Sequence, residues 1–414
     1  MARNPTATRR SEQRREQLTS VAAELFSARG FHAVGINDIA SAAGLTGPAV
    51  YRHFPDKRAL LAHVLLSGLD GLDKMTREAV EQVPSSATEI EALLERLATV
   101  AVDRRDIAAL WRWEGRHLAP AEQQDVARRS AAVIGGWTAA LRRVRPDLAE
   151  ADAELLCWAV LSAFGSVGVH RTSIAKRSFT ALLVRIAVRV LGLELPRAAE
   201  PDPAPVLGSP GPAPSPGLAQ RNRREQLLDA ATELFDERGF AAVSVEDIGA
   251  ASGIAGPSVY RHFANKRALL WAICQRATHR LELGADEALR ASGPPTRAAA
   301  LRRLCASYVA TLTGSRELAV SFSSDPGNLL EEQRIELLDR QRAYVQKWVD
   351  LLGEVDPEID RRAARITVHA ALTMANDLVR TRRTRSRPNL PAELTALMSA
   401  ALGVPERESS VEFQ

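Results

Sequence analysis

The stretch RREQLTSVAAELFSARGFHAVGINDIASAAGLTGPAVYRHFPDKRALL, residues 14–61, decides the fold because the chain carries it twice. The second copy, RREQLLDAATELFDERGFAAVSVEDIGAASGIAGPSVYRHFANKRALL, occupies residues 223–270 and follows 209 residues later without a gap. Roughly 30 of about 48 aligned positions are identical between the copies. A solenoid needs three or more short periods, so this repeat indicates one large unit that has been duplicated.

The apolar residues of each copy recur at helical spacing. In the first copy they predict a helix that ends at Gly30, where glycine supplies a left-handed cap. A second helix is predicted from about Ile36 to Gly44, and a third begins around Thr46 with Pro48 in its first turn. No convincing alternating run bounded by hairpin turns is found along the chain, so we predict an all-α protein.

Two short helices joined by a glycine-containing turn make a helix-turn-helix, whose second helix can lie in the major groove of DNA. On that helix Val50 and Phe54 are spaced to face the core, which leaves small and basic residues on the other faces. Arginine can bond guanine with two hydrogen bonds, and tyrosine or lysine can contact phosphate. The residues predicted to bind DNA are Thr46, Gly47, Ala49, Tyr51, Arg52, His53 and Lys57, and in the second copy Ala255, Gly256, Ser258, Tyr260, Arg261, His262 and Lys266. For any one of them, half-buried packing or a solvated helix face remains the alternative.

Composition bounds the class of protein. The chain of 414 residues is too long for one ordinary core and suits two or three domains. Its net charge of +4 permits a polyanionic partner without establishing one. Three cysteines are too few for a disulfide framework, which predicts a reducing, cytoplasmic setting. The N-terminus lacks the apolar core of a secretory signal, and the longest uncharged run, 155–170, is too short to span a bilayer; we therefore expect a buried helix there and no membrane association.

A proline-rich segment divides the chain and sets the predicted domains. Residues 196–220 cannot form a core and predict a semi-stiff linker, which at about 3.1 Å per residue reaches roughly 75 Å at most. The predicted domains are helix-turn-helix domains at 11–60 and 221–269, helical bodies at 61–195 and 270–414, and the linker at 196–220. The bodies show no sequence similarity comparable to that of the duplicated stretch.

The motif that both copies share is Phe-x7-Ile-x4-Gly-x5-Val-Tyr-Arg-His-Phe-x2-Lys-x2-Leu, from Phe31 to Leu60 and from Phe240 to Leu269. It closely resembles the DNA-binding domain of TetR-type (TetR/AcrR) transcriptional repressors. The resemblance implies two TetR-like units, each with a three-helix DNA-binding domain and a helical body for ligand binding and dimerisation. It also implies a repressor that reads a palindrome and is released by a small ligand. Two units in one chain resemble tandem members found among actinobacteria, some of them linked to lipid and sterol metabolism.

The resemblance also places residues outside the reading helix. Ser244 precedes Asp247 by three residues, which predicts a capping box, and in the family the hydroxyl at this position often contacts phosphate. Gly35 stands there in the first copy and has no hydroxyl. In the first body, Trp111 and Arg116 are candidates to line a pocket for a hydrophobic or acyl-type effector. A helix with buried tryptophans and snorkelling arginines is the alternative.

Two other function classes were weighed. An enzyme would need a nucleophile with its base or a metal set, and the chain has no Gly-x-Ser-x-Gly, P-loop or His-Glu-x-x-His motif. We therefore expect no catalytic residues, no cofactor and no metal. A helical scaffold would not explain two basic helix-turn-helix segments. The sequence thus predicts a ligand-released repressor that binds double-stranded DNA as a single-chain pseudo-dimer on an imperfect inverted repeat, with a homodimer of chains as the alternative.

Overall fold

A computed structural model of the chain describes residues 5–82, 87–113, 115–197, 223–253, 256–290 and 296–404. Every regular element in these ranges is helical, so the predicted all-α class is confirmed. The predicted linker, 196–220, lies outside the described residues from position 198 onward.

The first half of the chain begins with a three-helix segment, here called head 1, and continues with a helical body, here called body 1. Head 1 consists of α1 (Pro5–Arg29), α2 (Ile36–Ala42) and α3 (Gly47–Tyr51). Body 1 consists of α4 (Lys57–Gln82), α5 (Ala87–Asp103), α6 (Arg105–Trp113), α7 (Pro120–Val144), α8 (Glu150–Gly165) and α9 (Lys176–Leu191). Single 3-10 turns follow α6 at Gly115–His117 and α8 at Ser166–Gly168.

The second half repeats this order as head 2 and body 2. Head 2 consists of α10 (Arg223–Arg238), α11 (Val245–Ala251) and α12 (Gly256–Val259). Body 2 consists of α13 (Lys266–Arg290), α14 (Arg297–Gly314), α15 (Arg316–Ser323), α16 (Glu331–Val355), α17 (Arg361–Arg380), α18 (Arg382–Arg385) and α19 (Leu390–Leu402). A 3-10 turn at Pro326–Asn328 follows α15.

The compact units of the structure do not coincide with the two halves of the sequence. Unit 1 contains Met1–Glu194 together with Ile359–Leu378 and Ala400–Gly403. Unit 2 contains Leu195–Glu358, Val379–Ser399 and Val404–Gln414. The predicted second body, 270–414, therefore supplies residues to both units, although its sequence is continuous.

Each head has a closed apolar core. Leu18, Phe26, Val50 and Phe54 are all between 0% and 1% exposed, so the predicted inward positions of Val50 and Phe54 are confirmed. At the end of α1, Gly30 has a φ of 79°, in the left-handed region, and its N–H donates to the carbonyl of Phe26 at 2.8 Å. This is the glycine cap that the sequence predicts, and it stops α1 where the chain must turn toward α2.

The two bodies follow the same helix order at a constant spacing, which their sequences do not reveal. The matched helices begin at Arg105 and Arg316 for α6 and α15, at Pro120 and Glu331 for α7 and α16, and at Glu150 and Arg361 for α8 and α17. Each pair is 211 residues apart, two more than the spacing of the heads. The added residues lie in the loop before α14, since α13 still begins 209 residues after α4. Body positions 211 residues apart can therefore be compared directly.

The most apolar helical stretch of the described residues is Glu150–Gly168, with a mean hydropathy of 1.2 over 19 residues. It is longer than the uncharged run at 155–170 suggests, because α8 begins five residues earlier, and its length alone would suffice to cross a bilayer. Of its most apolar window, 61% is buried inside the protein. This burial is typical of the core helix that the sequence predicts.

Unit 1 contains a stacked pair of histidines, His170 and His369, whose ring centroids lie 4.8 Å apart. His170 also stacks on Phe179 at 6.2 Å, and its two ring nitrogens are sealed from solvent. Burial, together with the neighbouring His369 and the Arg105 guanidinium, lowers the pKa of His170 to about 3. Burial and the Arg365 guanidinium lower the pKa of His369 to about 4. Both rings are therefore neutral in the folded protein at neutral pH.

We expect unit 1 to lose stability in mild acid. Below the ordinary histidine pKa of 6.5, the unfolded chain binds protons at His170 and His369, whereas the folded chain resists protonation until the pH nears 4. The free energy of unfolding should therefore decrease as the pH falls from 6.5, by about 2 kcal/mol per histidine at pH 5. Urea unfolding, followed by circular dichroism at a series of pH values, measures this slope.

The variant His170→Phe keeps the ring and removes the titrating group, so its unfolding should depend less on pH. The control is His279→Phe, a change at an exposed histidine of α13, which should leave the slope as it is in the parent protein. An unaltered slope in His170→Phe would contradict this account.

Candidate nucleic-acid interface

Two glycines shape the helix-turn-helix of head 1. Gly44 has a φ of 67°, in the left-handed region, and allows the turn in which Leu45 N–H donates to the carbonyl of Ala40 at 2.8 Å. Gly47 begins α3 close to α2, and a Cβ there would lie 2.7 Å from Oδ1 of Asn37. Gly47, which the sequence places among the DNA-binding residues, thus also has a packing role, because it lets α2 and α3 approach each other.

Tyrosine and arginine project from the same place in both heads. Tyr51 is 56% exposed and Tyr260 is 50% exposed, and Arg52 and Arg261 are also exposed. Leaving a large aromatic ring in solvent is unfavourable unless something covers it, and here this occurs twice at equivalent positions. Of the other predicted residues, Thr46, Ser244 and His262 are exposed, and Gly47, Ala49, His53 and Ser258 are half-buried. Ala255 lies outside the described residues, and Gly256 begins α12.

The third helix of each head is shorter than the spacing of its residues suggests. α3 ends at Tyr51, and Arg52 forms its C-cap with a φ of −69° and a ψ of −22°. His53 follows in a turn whose N–H donates to the carbonyl of Val50 at 2.9 Å. The basic pair therefore lies at the end of a single helical turn, where side chains are not crowded by a following turn of helix.

Head 2 contains the predicted capping box. Oγ of Ser244 accepts from the N–H of Asp247 at 3.0 Å, and the N–H of Ser244 donates to Oδ2 of Asp247 at 2.8 Å. The hydrogen bonds from Ser244 lower the pKa of the Asp247 carboxyl. In head 1, only the reciprocal half exists, the N–H of Gly35 donating to Oδ2 of Asp38 at 2.7 Å. The two heads therefore begin their second helices with different chemistry, as the sequence predicts.

Lys57 and Lys266 have a second role that the sequence analysis missed. Nζ of Lys57 donates to the carbonyls of Phe31 at 2.7 Å and Val34 at 2.8 Å, and it lies 4.3 Å from the centre of the Phe31 ring. Nζ of Lys266 likewise donates to the carbonyls of Phe240 and Val243, both at 2.7 Å, and lies 4.4 Å from the Phe240 ring. Each ammonium thus holds the turn between the first two helices of its head. Contact of these lysines with phosphate stays a prediction, but they are also structural residues.

Another pair of basic residues escaped prediction. The guanidinium of Arg15 lies 4.8 Å from the ring centre of Phe54, and that of Arg224 lies 4.7 Å from the ring centre of Phe263. These contacts hold a positive charge of the first helix beside the end of the third helix. The signal was present, because the RREQL run recurs in both copies.

Body 1 encloses a cavity of about 30 Å³ between α5, α7, α8 and α9. No charged side chain lines it, and its walls are Ile90, Leu93, Leu94, Leu97, Trp137, Ala140, Leu141, Cys157, Val160 and Leu191. Burial raises the pKa of the Cys157 thiol to about 12, so this sulfur remains protonated. The side chains of Trp111 and Arg116, predicted to line a pocket, lie outside the described part of the structure, and their role stays a prediction.

The two helix-turn-helix segments match a family of known proteins. A family model described as "Bacterial regulatory proteins, tetR family" matches residues 18–64 and again residues 227–273. Both matches lie within the duplicated stretch, so the tandem arrangement seen in the sequence is confirmed.

Curated relatives and a solved structure extend the similarity. The chain is 34% identical over 114 residues to the HTH-type transcriptional repressor KstR2 of Rhodococcus jostii, across 27% of this chain and 54% of that protein. It is 40% identical over 73 residues to the HTH-type transcriptional activator FasR of Mycolicibacterium smegmatis, across 18% of this chain and 33% of that protein. The chain thus spans between a third and about half of the length of these relatives. The structure of the ketosteroid regulator KstR2 of Mycobacterium tuberculosis aligns with 45% of this chain and 95% of its own, with 20% identity and a TM-score of 0.39.

The structural role of the lysines has a measurable consequence. We expect Lys57→Met and Lys266→Met to lower the free energy of unfolding by about 1–3 kcal/mol each, because two carbonyls lose a charged donor. Urea unfolding of each variant measures this change. Arg58→Met and Arg267→Met are matched controls, since they remove the neighbouring exposed cation and should leave the unfolding midpoint in place. Lysine variants with normal stability but weaker DNA binding would show that phosphate contact is their only role.

Proposed function

Since residues 18–64 and 227–273 belong to the tetR family of bacterial regulatory proteins, we propose that this protein is a DNA-binding transcriptional regulator with two reading heads in one chain. One observation carries the proposal: the same tyrosine and arginine stand exposed at the end of the third helix in both heads. A scaffold protein has no need to keep such residues at both places.

The chemistry of the exposed residues fits double-stranded DNA. An arginine can pair with the O6 and N7 acceptors of guanine in the major groove, and small neighbours such as Ala49 and Ser258 allow close approach. Tyr51 and Tyr260 offer hydroxyls for phosphate oxygens, which fix the protein on the duplex without reading sequence. Thus Arg52 and Arg261 are proposed to read bases, and the tyrosines are proposed to position the heads.

The two heads are proposed to act as an intramolecular pseudo-dimer. Supporting this, Ile359–Leu378, which make up most of α17, belong to unit 1 although they come late in the second half of the sequence. In unit 1 the α17 residue His369 stacks on His170 of the first half. A chain that already exchanges a late helix between its halves can supply both halves of a two-headed reader. A pair of chains with four heads is the alternative.

We further propose that the regulator is a repressor released by a small apolar molecule. The curated relatives include a repressor and an activator by name, so the sign of regulation is part of the proposal. The uncharged walls of the cavity in body 1 favour a hydrocarbon or acyl chain over a polar ligand. At about 30 Å³ the cavity is far smaller than such a ligand, so binding would have to enlarge it.

The pseudo-dimer predicts the stoichiometry of the DNA complex. One chain should protect two neighbouring half-sites of an imperfect inverted repeat, with centres about 34–36 Å apart. Light scattering on the complex with a selected operator fragment should give one chain per fragment, and footprinting should show both half-sites. Complexes that always contain two chains and four occupied half-sites would establish the alternative.

Each reading arginine should act on its own half-site. Arg52→Ala should cost about 1–3 kcal/mol of base discrimination in one half-site, and Arg261→Ala should cost the same in the other. Binding of each variant to operators with single base changes, at a series of salt concentrations, separates base reading from phosphate contact. If either variant weakens both half-sites equally and leaves sequence preference unaltered, the arginines are structural.

A further inference from the structure

The two bodies differ at the place of the cavity. In body 1, Leu97, Trp137 and Ala140 belong to the cavity walls. The matched residues of body 2, 211 positions later, are Tyr308, Trp348 and Leu351. Leucine is thus replaced by tyrosine and alanine by leucine, so body 2 carries more side-chain volume at these positions.

Aromatic rings fill this part of body 2. Trp348 is 0% exposed, and its ring centroid lies 5.9 Å from that of Tyr308, edge to face. A third ring, Tyr344, lies 6.2 Å from Trp348, and burial raises the pKa of its phenol. Close ring packing of this kind contributes more than area burial alone and resists expansion.

The heads are also joined to their bodies by different interactions. In unit 2, the guanidinium of Arg276 on α13 forms an ion pair with Asp229 at 3.0 Å and another with Glu225, both on α10 of head 2. The same guanidinium lies 3.5 Å from Glu317 of α15, which also pairs with Arg280 at 2.9 Å. Glu317 is only 7% exposed, so loss of Arg276 would leave part of a buried carboxylate's charge uncompensated.

Head 1 lacks the residues for this network. The positions that match Asp229, Arg276 and Arg280 carry no charge, and they are Ser20, Ser67 and Gly71. Instead, the ring of His117, just after α6, stacks on Phe31 at 5.1 Å and meets His32 edge-on at 4.5 Å. Head 1 therefore contacts this part of body 1 through neutral ring packing rather than through an ion-pair network.

The arginine that begins α6 and α15 connects differently in the two halves. Arg316 on α15 pairs with Glu233 of α10 at 2.8 Å, which adds a further tie to head 2. Arg105 on α6 instead donates to the carbonyls of Val167 at 2.9 Å and His170 at 2.5 Å, just beyond α8. Because α8 forms part of the cavity wall, α6 is tied to the wall at one end and contacts head 1 at the other.

From these differences we infer that the two halves have divided the work of regulation. The first half senses the effector and moves its head, and the second half is an anchor whose head stays fixed. This inference rests on the proposed function. An apolar chain that enlarges the cavity displaces α8, Arg105 transmits the shift to α6, and α6 shifts Leu110 and His117 against head 1. In the second half, aromatic rings occupy the matched place and ion pairs hold α10.

Hydrogen exchange of the full chain bound to a selected operator fragment tests this division. The probes are straight-chain fatty acids from hexanoic to hexadecanoic acid. An acid that weakens DNA binding should speed amide exchange in α1 and α6 by about fivefold or more, a typical allosteric coupling, and leave the matched helices α10 and α15 as they were. Equal changes in both halves, or a change confined to α10 and α15, would overturn the inference.

Two variants test the sensing half. Ala140→Leu places in body 1 the residue that body 2 has at the matched position, and it should remove the response to the acid. The matched variant Leu351→Ala, which opens space in body 2, should leave the response confined to α1 and α6. A response that survives Ala140→Leu, or that appears in α10 of Leu351→Ala, contradicts the assignment of the sensor.

The anchoring half is tested with Arg276→Met and its matched control Ser67→Ala. The first should speed exchange in α10 and weaken protection of one half-site about tenfold, whereas the second should alter neither half-site. Arg276→Lys should restore part of the protection, since it keeps the charge. Faster exchange throughout unit 2, including α16, would mean that Arg276 only stabilises the fold and would refute the anchor.

Failure of this inference can be told apart from failure of the proposed function. If the chain binds no DNA fragment in a salt-dependent way, the proposed function is wrong. If it binds DNA and none of the acids alters exchange in either half, the proposed function stands and the sensing half does not.

Discussion

The turn between the first two helices of each head is held by one buried ammonium. The lysine at the start of the fourth helix, Lys57 or Lys266, donates to two carbonyls of that turn and lies over its phenylalanine ring. Without this contact, those carbonyls would need another donor in a place that the core makes hard for water to reach. The direction of α2 or α11, and with it the position of the reading helix, depends on this fixed turn.

Duplication has acted differently on heads and bodies. The heads retain the same core, the same left-handed glycines and the same exposed tyrosine and arginine, because one three-helix geometry must be built twice. The bodies retain the order of their helices but not their side chains. The spacing of 211 residues places Trp348 opposite Trp137, yet the tyrosines around Trp348 have no ring counterpart at the matched positions of body 1, Leu97 and Val133. A helical core can be repacked with other apolar residues of suitable volume while its framework survives.

Charge is distributed in keeping with this divergence. Arg276 and Glu317 lie at a joint between α10, α13 and α15 where solvent is partly excluded, so their ion pairs are screened less than surface pairs. The first half has serine and glycine at the positions of the two arginines, and its joint is made by His117, Phe31 and His32. The polar joint is directional and stiff, whereas ring packing tolerates sliding. Identical helix order therefore does not imply identical mechanical behaviour.

The sequence by itself determined the helical class, the duplication, the helix-turn-helix and the inward positions of Val50 and Phe54. These features depend on local periodicity, on glycines at turns and on a repeat that can be read along the chain. Only the tertiary structure decided the roles of Lys57 and Arg15, the partners of Arg105 and Arg316, and the membership of α17 in unit 1. Each of these depends on which residues distant in sequence meet in space: Lys57 reaches a turn about 25 residues earlier, and His369 meets His170 across the linker. Local propensity carries no information about such meetings, because they follow from how whole helices pack.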